Sequence, residues 1–151
     1  MLNIALYQPD IPQNVGAMIR LCACMGAGLD IIEPASFPWD ERKIKQSAMD
    51  YLTKINYTCH SSWQTFQDAA AERRVVLMST KAAQPYIDFE FRADDILLAG
   101  SESAGVPEDI HKAVDERILI PMQAEMRSLN IVNATSMILG EALRQTRWST
   151  I

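Results

Sequence analysis

The stretch from Ile118 to Asn133, ILIPMQAEMRSLNIVN, decides the fold class, because a short apolar run leads through a polar turn into a helical pattern. A strand, a loop and a helix in this order form the unit from which α/β proteins build ligand sites. Backbone N–H groups at the helix start and the side chains of Ser128 and Asn130 offer hydrogen bonds. Apolar contacts come from Ile120, Met122 and Leu129. The segment therefore predicts a binding site for a small polar molecule with apolar parts.

The same alternation of strand and helix patterns runs along the whole chain. The predicted strands are Leu2–Tyr7, Leu29–Glu33, Ile55–Cys59, Val75–Thr80, Ile96–Ala99 and Ile118–Ile120. The predicted helices are Asn14–Met25, Trp39–Ala48, Ser62–Ala71, a short helix near Pro107, and Asn130–Gln145. Alternation of this kind is typical of an α/β protein with a mostly parallel sheet and helices on both faces. At 151 residues, we expect one domain over residues 1–151.

Composition excludes several classes of protein. A content of 48% hydrophobic and 22% charged residues is typical of a globular chain. No apolar run approaches the roughly 20 residues that a membrane span requires. The segment Met1–Tyr7 lacks a basic leader and a cleavage site, so it predicts a first core strand rather than a signal peptide. We therefore expect a cytoplasmic protein that does not enter the membrane.

The net charge and the spacing of possible metal ligands narrow the classes of partner and cofactor further. The net charge of −5 argues against bulk electrostatic coating of nucleic acid, but it allows a local basic patch. Candidates for such a patch are Arg42, Lys43, Lys45 and Lys54, with Arg127 elsewhere. A solvated helix face explains the same charges equally well. The three cysteines and two histidines show no zinc-site spacing, so we predict no metal.

A first chemical segment, IPQNVGAMIR, runs from Ile11 to Arg20 into a predicted helix. Asn14 is placed to cap that helix, and Gly16 permits close approach of another element. An ordinary capped helix accounts for these residues without a ligand. In the functional interpretation, Arg20 is a fork-shaped cationic donor that grips a phosphate or a reacting hydroxyl.

A second segment, ILLAGSESAGVP, runs from Ile96 to Pro107 and contains a Gly-x-Glu-x-x-Gly loop. Gly100 and Gly105 flank the carboxylate of Glu102, and glycines allow a backbone to touch a ligand. A turn followed by a helix that begins at a proline is the alternative explanation. The segment is neither a dinucleotide fingerprint nor a phosphate loop.

Together with the opening stretch, these segments resemble the SPOUT class of RNA methyltransferases, most specifically the small TrmL (YibK-like) tRNA 2′-O-methyltransferases. The resemblance extends over nearly the whole chain. It includes the motifs Met1-Leu2-Asn3-Ile4, Ile11-Pro12-Gln13-Asn14, Arg20-Leu21-Cys22, Ile31-Ile32-Glu33-Pro34 and Asp50-Tyr51. It implies a C-terminal deep trefoil knot, a rare topology among proteins.

The resemblance also implies S-adenosylmethionine as the methyl donor, with S-adenosylhomocysteine as product and no metal. Its adenine would be held largely by backbone groups of three loops. Mapped onto this chain, the cofactor-binding residues are Met78, Ser79, Thr80, Gly100, Gly105, Ile120, Met122, Ser128 and Leu129. Two positions depart from the family pattern, since Ala104 replaces an arginine and Val132 a frequent serine. The first change removes an RNA contact of the family without affecting backbone recognition of the cofactor.

The implied reaction is methylation of the ribose 2′-oxygen of the wobble nucleotide, cytidine or uridine 34, in tRNA(Leu)-type substrates. Arg20 would orient the hydroxyl, with Asn14, Glu102, Ser128 and Asn130 shaping the site. Arg42, Lys43, Lys45 and Arg127 would contact RNA in a homodimer whose subunits share the RNA site. Two alternatives remain, the same chemistry at another RNA position and a non-catalytic flavodoxin-like nucleotide-binding module.

Overall fold

Seven parallel strands form the centre of the computed structural model, which describes residues 1–35, 37 and 40–148. The strands are β1 (Asn3–Tyr7), β2 (Gly28–Ile32), β3 (Tyr57–His60), β4 (Val75–Met78), β5 (Gln84–Pro85), β6 (Ile96–Ala99) and β7 (Glu116–Leu119). Their order in the sheet is β3-β2-β1-β6-β4-β7-β5. The helices are α1 (Pro12–Met25), α2 (Glu41–Ala48), α3 (Trp63–Ala70), α4 (Glu108–Ala113) and α5 (Ile131–Thr146). The predicted α/β class is confirmed.

Helices cover both faces of the sheet. One apolar cluster joins the strands to α1, α2 and α5 through buried residues such as Ile19, Ile44 and Leu139. The cluster on the opposite face contains Phe66 of α3 and Ile110 of α4. Burial of this apolar surface is the main force that stabilises the layers. None of the described helices is long and apolar enough to cross a membrane.

Close packing of α1 on α2 depends on Gly16, as the sequence predicted. A Cβ atom built on Gly16 would lie 2.3 Å from the Cβ of Ser47 and 2.9 Å from the backbone nitrogen of Ala48. Such a contact would force the helices apart. Gly26 ends α1 in the left-handed conformation, with φ of 66°, which glycine adopts at little cost.

The predicted capping role of Asn14 is wrong. Pro12 occupies the first turn of α1, so the helix begins earlier than predicted, after Ile11, and no side chain caps it. Asn14 lies inside the first turn, and its side chain bonds to another loop instead. At α5, by contrast, Asn130 caps the helix by accepting hydrogen bonds from the N–H groups of Val132 (2.9 Å) and Asn133 (3.3 Å).

Several element boundaries differ from the predictions. Strand β7 begins at Glu116 rather than Ile118, because Glu116 and Arg117 already pair with β4. The guanidinium of Arg117 donates to backbone carbonyls at the end of α4, which satisfies this charged residue within the strand. No pattern in the sequence predicts the two-residue edge strand β5. Helix α2 begins at Glu41 after the Asp40 cap, and the predicted start at Trp39 lies outside the described residues. Strand order does not define how a chain threads, so the trefoil knot stays a prediction.

Candidate active site

A cavity of about 520 Å³ opens at the carboxyl ends of β6, β4 and β7, which are neighbours in the sheet. Its volume is in the range of sites for drug-sized ligands. The loops after these strands complete the wall, and so does the start of α1. All nine residues predicted to bind cofactor line this cavity: Met78, Ser79, Thr80, Gly100, Gly105, Ile120, Met122, Ser128 and Leu129. The three chemical segments of the sequence therefore meet at one place.

Helix α5 gives the cavity an apolar side. Ile131, Ala134, Thr135 and Ile138 line it at the i, i+3, i+4 and i+7 positions of the helix. The same helix buries Leu139 and Leu143 against the sheet and α1. The first set of residues forms the cavity wall, and the second set packs the helix into the core. The apolar wall is therefore held in place by the packing of α5.

The β6–α4 loop is a tight turn closed by its own backbone. The N–H of Ser101 bonds to the carbonyl of Gly105 at 3.0 Å, and the reverse bond measures 2.9 Å. Gly105 has φ of 66°, and a Cβ on Gly100 would lie 2.6 Å from the carbonyl carbon of Gly105. The close approach that requires a glycine at position 100 is therefore made by the turn itself.

Three polar side chains, joined by the backbone N–H of Asp10, form a continuous hydrogen-bonded chain across the three loops. Glu102 accepts hydrogen bonds from the backbone N–H of Asp10 (2.9 Å) and from the amide of Asn14 (3.3 Å). The Asn14 oxygen accepts a hydrogen bond from the amide of Asn130, also at 3.3 Å. Asn14, Glu102 and Asn130 line the cavity. Three of the four predicted catalytic residues are thus brought together.

The fourth predicted catalytic residue, Arg20, lies elsewhere on α1 and is absent from the described lining of the cavity. Its side chain is exposed, and its guanidinium carbon lies 5.9 Å from the ring centre of Tyr51. The ammonium of Lys54 lies 5.4 Å from the same ring. Cation–π contacts of this kind are worth about 0.5–1 kcal/mol at exposed sites. Arg20 therefore belongs to the surface that carries the basic segment.

The predicted RNA-binding residues are all exposed. Arg42, Lys43 and Lys45 lie on α2, which packs beside α1. Arg127 lies on the loop before α5, next to the cavity residue Ser128. The predicted RNA-binding residues thus fall in two places, three on α2 beside α1 and one on the loop at the edge of the cavity.

Asp10, Thr135 and His111 also belong to the site, although sequence reasoning missed them. Asp10 bonds to Glu102, and its position just after β1 at the same sheet edge was the available signal. The hydroxyl of Thr135 and the Nε2 atom of His111 are buried without a hydrogen-bond partner among the described residues, and both residues line the cavity. Such atoms cost about 1–3 kcal/mol each when unsatisfied, so they indicate a polar ligand.

In the described part of the chain, no group of three or more His, Cys, Asp or Glu side chains converges to form a metal site. Cys22 is buried, and burial raises the pKa of its thiol to about 12. Cys24 and Cys59 are exposed. Cys22 is therefore a core residue, whereas the other two cysteines lie at the surface.

Comparison with known proteins gives one consistent result. The model of the SpoU rRNA Methylase family matches residues 1–140. A protein from Beijerinckia indica named tRNA (cytidine(34)-2′-O)-methyltransferase is 56% identical over 144 residues, which cover 94% of this chain and 90% of that protein. The protein of the same name from Escherichia coli K12 is 38% identical, with coverage of 96% and 94%.

Solved structures agree with these relatives. One, described as giving insights into the 2-OH methylation of C/U34 on tRNA, has a TM-score of 0.92 and 36% identity, and the match covers 96% of this chain and 95% of that chain. The SpoU methyltransferase AviRb from Streptomyces viridochromogenes, in complex with AdoMet, has a TM-score of 0.86 and 28% identity. That match covers 96% of this chain and 57% of the AviRb chain.

Proposed function

Since this chain belongs to the SpoU rRNA methylase family, we propose that it transfers a methyl group from S-adenosylmethionine to the ribose 2′-oxygen of cytidine or uridine 34 in tRNA. The observation that carries this proposal is the cavity at the sheet edge with Asn14, Glu102 and Asn130 joined along its wall. A tRNA substrate makes the cytoplasm the expected place of the reaction, with residues 1–151 acting as one methyltransferase domain.

The residues of the cavity fit S-adenosylmethionine. Backbone groups of the loops after β4, β6 and β7 surround the cavity, and the apolar stripe of α5 forms another of its walls. The unpartnered atoms of Thr135 and His111 lie on elements that pack on opposite faces of the sheet. A ligand with hydrogen-bonding groups spread over an apolar frame matches this distribution.

The reaction requires alignment and removal of one proton. When bound, S-adenosylmethionine supplies a methyl group already activated by a positively charged sulfur. The chain of Asn14, Glu102 and Asn130 fixes polar groups beside the cavity before the RNA arrives. Arg20 is always charged, so we assign it contact with a phosphate or the hydroxyl rather than proton removal.

Ligand binding tests this function directly. S-adenosylhomocysteine should raise the melting temperature, because a ligand that binds only the folded state adds about 2.7 kcal/mol of stability at a hundredfold excess over its dissociation constant. Flavin mononucleotide should give no shift. An unchanged melting temperature with S-adenosylhomocysteine and a shift with the flavin would favour the flavodoxin-like alternative.

The Thr135→Val substitution separates binding from folding. It removes the buried hydroxyl with little change in shape, so the free energy of unfolding should stay equal or rise by about 1 kcal/mol. The affinity for S-adenosylhomocysteine should fall, because the ligand loses a partner. Denaturant unfolding and calorimetry measure the two effects. Thr146→Val is the matched control, since that hydroxyl already bonds to the carbonyl of Ala142; it should leave affinity unchanged. Unchanged affinity in Thr135→Val would contradict a ligand contact there.

We infer that RNA binds the basic surface of α1 and α2. The double substitution Lys43→Glu and Lys45→Glu should weaken tRNA binding about tenfold or more and flatten its salt dependence, while cofactor affinity stays the same. A matched reversal of Arg92 and Lys112 changes the net charge equally at sites away from α2. Filter binding across a salt series measures the difference. Equal losses in both double variants would show that only net charge matters.

We further propose a homodimer that brings Arg20 of one subunit to the cavity of the other. The apolar residues of Val15–Cys22 and of the Ile131–Leu143 face offer surface for such contact in the sequence, but most of them pack into the core of the chain. Two exposed apolar side chains, Ile11 and Leu129, line the cavity, and Met126 is exposed on the same loop as Leu129. Because their side chains are exposed, these residues are better placed than the buried stripes to form a dimer interface.

Subunit mixing tests the shared site. Arg20→Ala and Glu102→Gln protein, each inactive alone, should recover about a quarter of wild-type activity after mixing, because half of the dimers are mixed and each has one intact site. Light scattering reports the oligomeric state. No recovery with confirmed subunit exchange would place both residues in one subunit's site.

A further inference from the structure

Asp10 and Glu102 form a reciprocal pair where the β1–α1 loop meets the β6–α4 loop. The backbone N–H of Asp10 donates to the carboxylate of Glu102 at 2.9 Å, and the N–H of Glu102 donates to the carboxylate of Asp10 at 3.1 Å. The hydroxyl of Ser103 donates to the other carboxylate oxygen of Asp10. Two backbone bonds and a side-chain bond therefore hold the two carboxyl groups beside each other.

The two carboxyl groups differ in their access to the cavity. Glu102 lines it and is half-buried, whereas Asp10 is not among the lining residues. The other carboxylate on the lining, Glu108, is exposed in the first turn of α4. Glu102 is therefore the carboxylate that a ligand and an incoming ribose can reach beside Asn14 and Asn130. Asp10 bonds to Glu102 without lining the cavity, so we expect it to affect the reaction through Glu102.

We propose that Glu102 is the proton acceptor for the ribose 2′-hydroxyl and that Asp10 is the residue that positions it. This rests on the proposed function, because it names the base of that reaction. The 2′-oxygen gains the methyl group and loses its proton, the sulfonium becomes a neutral thioether, and the proton passes to a carboxylate oxygen of Glu102.

The electrostatic setting suits a base. Burial and then the side-chain hydrogen bond with the carboxyl group of Asp10 raise the pKa of Glu102, and these effects outweigh the backbone N–H groups and the Asn14 amide, which lower it. The same bond between the two carboxyl groups lowers the pKa of Asp10. A general base works best when its pKa approaches the operating pH. The other charged or titratable side chains around the cavity are Lys81, Glu108 and His111, with Arg127 on the adjoining loop. Below its pKa Glu102 holds a proton, so the rate should fall as the pH falls through that value.

Two substitutions test the two roles. Glu102→Gln should lower the single-turnover rate of tRNA methylation by about 10²–10⁴-fold, with S-adenosylhomocysteine affinity, measured by calorimetry, within about threefold of wild type. Asp10→Asn should move the acidic limb of the rate profile to lower pH, because it removes the partner that raises the pKa of Glu102. Glu72→Gln is the matched control for Glu102→Gln, because it removes an exposed carboxylate that lies far from Glu102 in the sequence.

A measurement without ligand completes the test. NMR of carbon-13-labelled glutamate, with the signal assigned by its loss in Glu102→Gln, should show Glu102 titrating at lower pH in Asp10→Asn than in wild type. A Glu102→Gln rate within tenfold of wild type, or a parallel loss of cofactor affinity, would overturn the proton-acceptor role. An unmoved titration and acidic limb in Asp10→Asn would overturn the role of Asp10. Wild-type protein that binds no S-adenosylhomocysteine would instead refute the proposed function, and the NMR titration would still report the coupling.

Discussion

Replacing Arg20 by alanine is expected to slow methyl transfer to tRNA by about two orders of magnitude or more, a loss of about 3 kcal/mol of transition-state stabilisation. Folding and cofactor affinity should stay near wild type, because the side chain is exposed and lies outside the described cavity lining. Its contact with Tyr51 holds the guanidinium on the surface proposed to meet RNA. Single-turnover transfer of a labelled methyl group measures the effect.

Arg20→Lys sharpens this test, since it keeps the charge but loses the fork that binds two oxygens at once. We expect most of the alanine effect to remain. Arg144→Ala is the control, because Arg144 is an exposed arginine on α5 paired only locally with Glu141. Near-normal rates in both Arg20 variants would remove this residue from the reaction.

Replacing Gly100 by valine is expected to abolish the thermal shift caused by S-adenosylhomocysteine and to destabilise the protein. A Cβ at this position would lie 2.6 Å and 2.7 Å from backbone atoms of Gly105 and 3.0 Å from the nitrogen of Val106. Backbone atoms cannot yield as a side chain can, so the β6–α4 turn must open. Because Glu102 lies on this turn, the polar chain along the cavity should break as well.

Gly140→Ala is the matched control for that substitution. A Cβ on Gly140 meets nothing within 4 Å, and alanine is favoured over glycine inside a helix by about 1 kcal/mol. The control should therefore keep the ligand-induced shift and be at least as stable as wild type. If Gly100→Val bound the ligand normally, the closed turn would not be needed for the cavity.

The sequence predicted the fold class because six of the seven strands overlap short runs of β-branched, leucine or aromatic residues. The exception, β5, has two residues including a proline and pairs only with β7 at the sheet edge. The knot cannot follow from residue patterns, since threading depends on the path of the whole chain.

The candidate site was predicted in its components rather than in its geometry. The motifs around Gly100, Ser128 and Asn14 do meet at the cavity, as the resemblance implied. Spacing could not show that Asp10 faces Glu102, because the two lie 92 positions apart. Nor could it show that Gly100 serves the turn, or that Arg20 contacts Tyr51 rather than the cavity.

The position of the transferred methyl group tests the central claim most directly. Purified wild-type protein should be incubated with S-adenosylmethionine and unmodified or cellular tRNA, and the RNA then digested and analysed by mass spectrometry. We expect a single methyl group on the ribose 2′-oxygen of nucleotide 34, which forms about a hundredfold or more slowly with Glu102→Gln protein. A methyl group on a base or at another nucleotide, or no transfer to tRNA by protein that binds the cofactor, would contradict it.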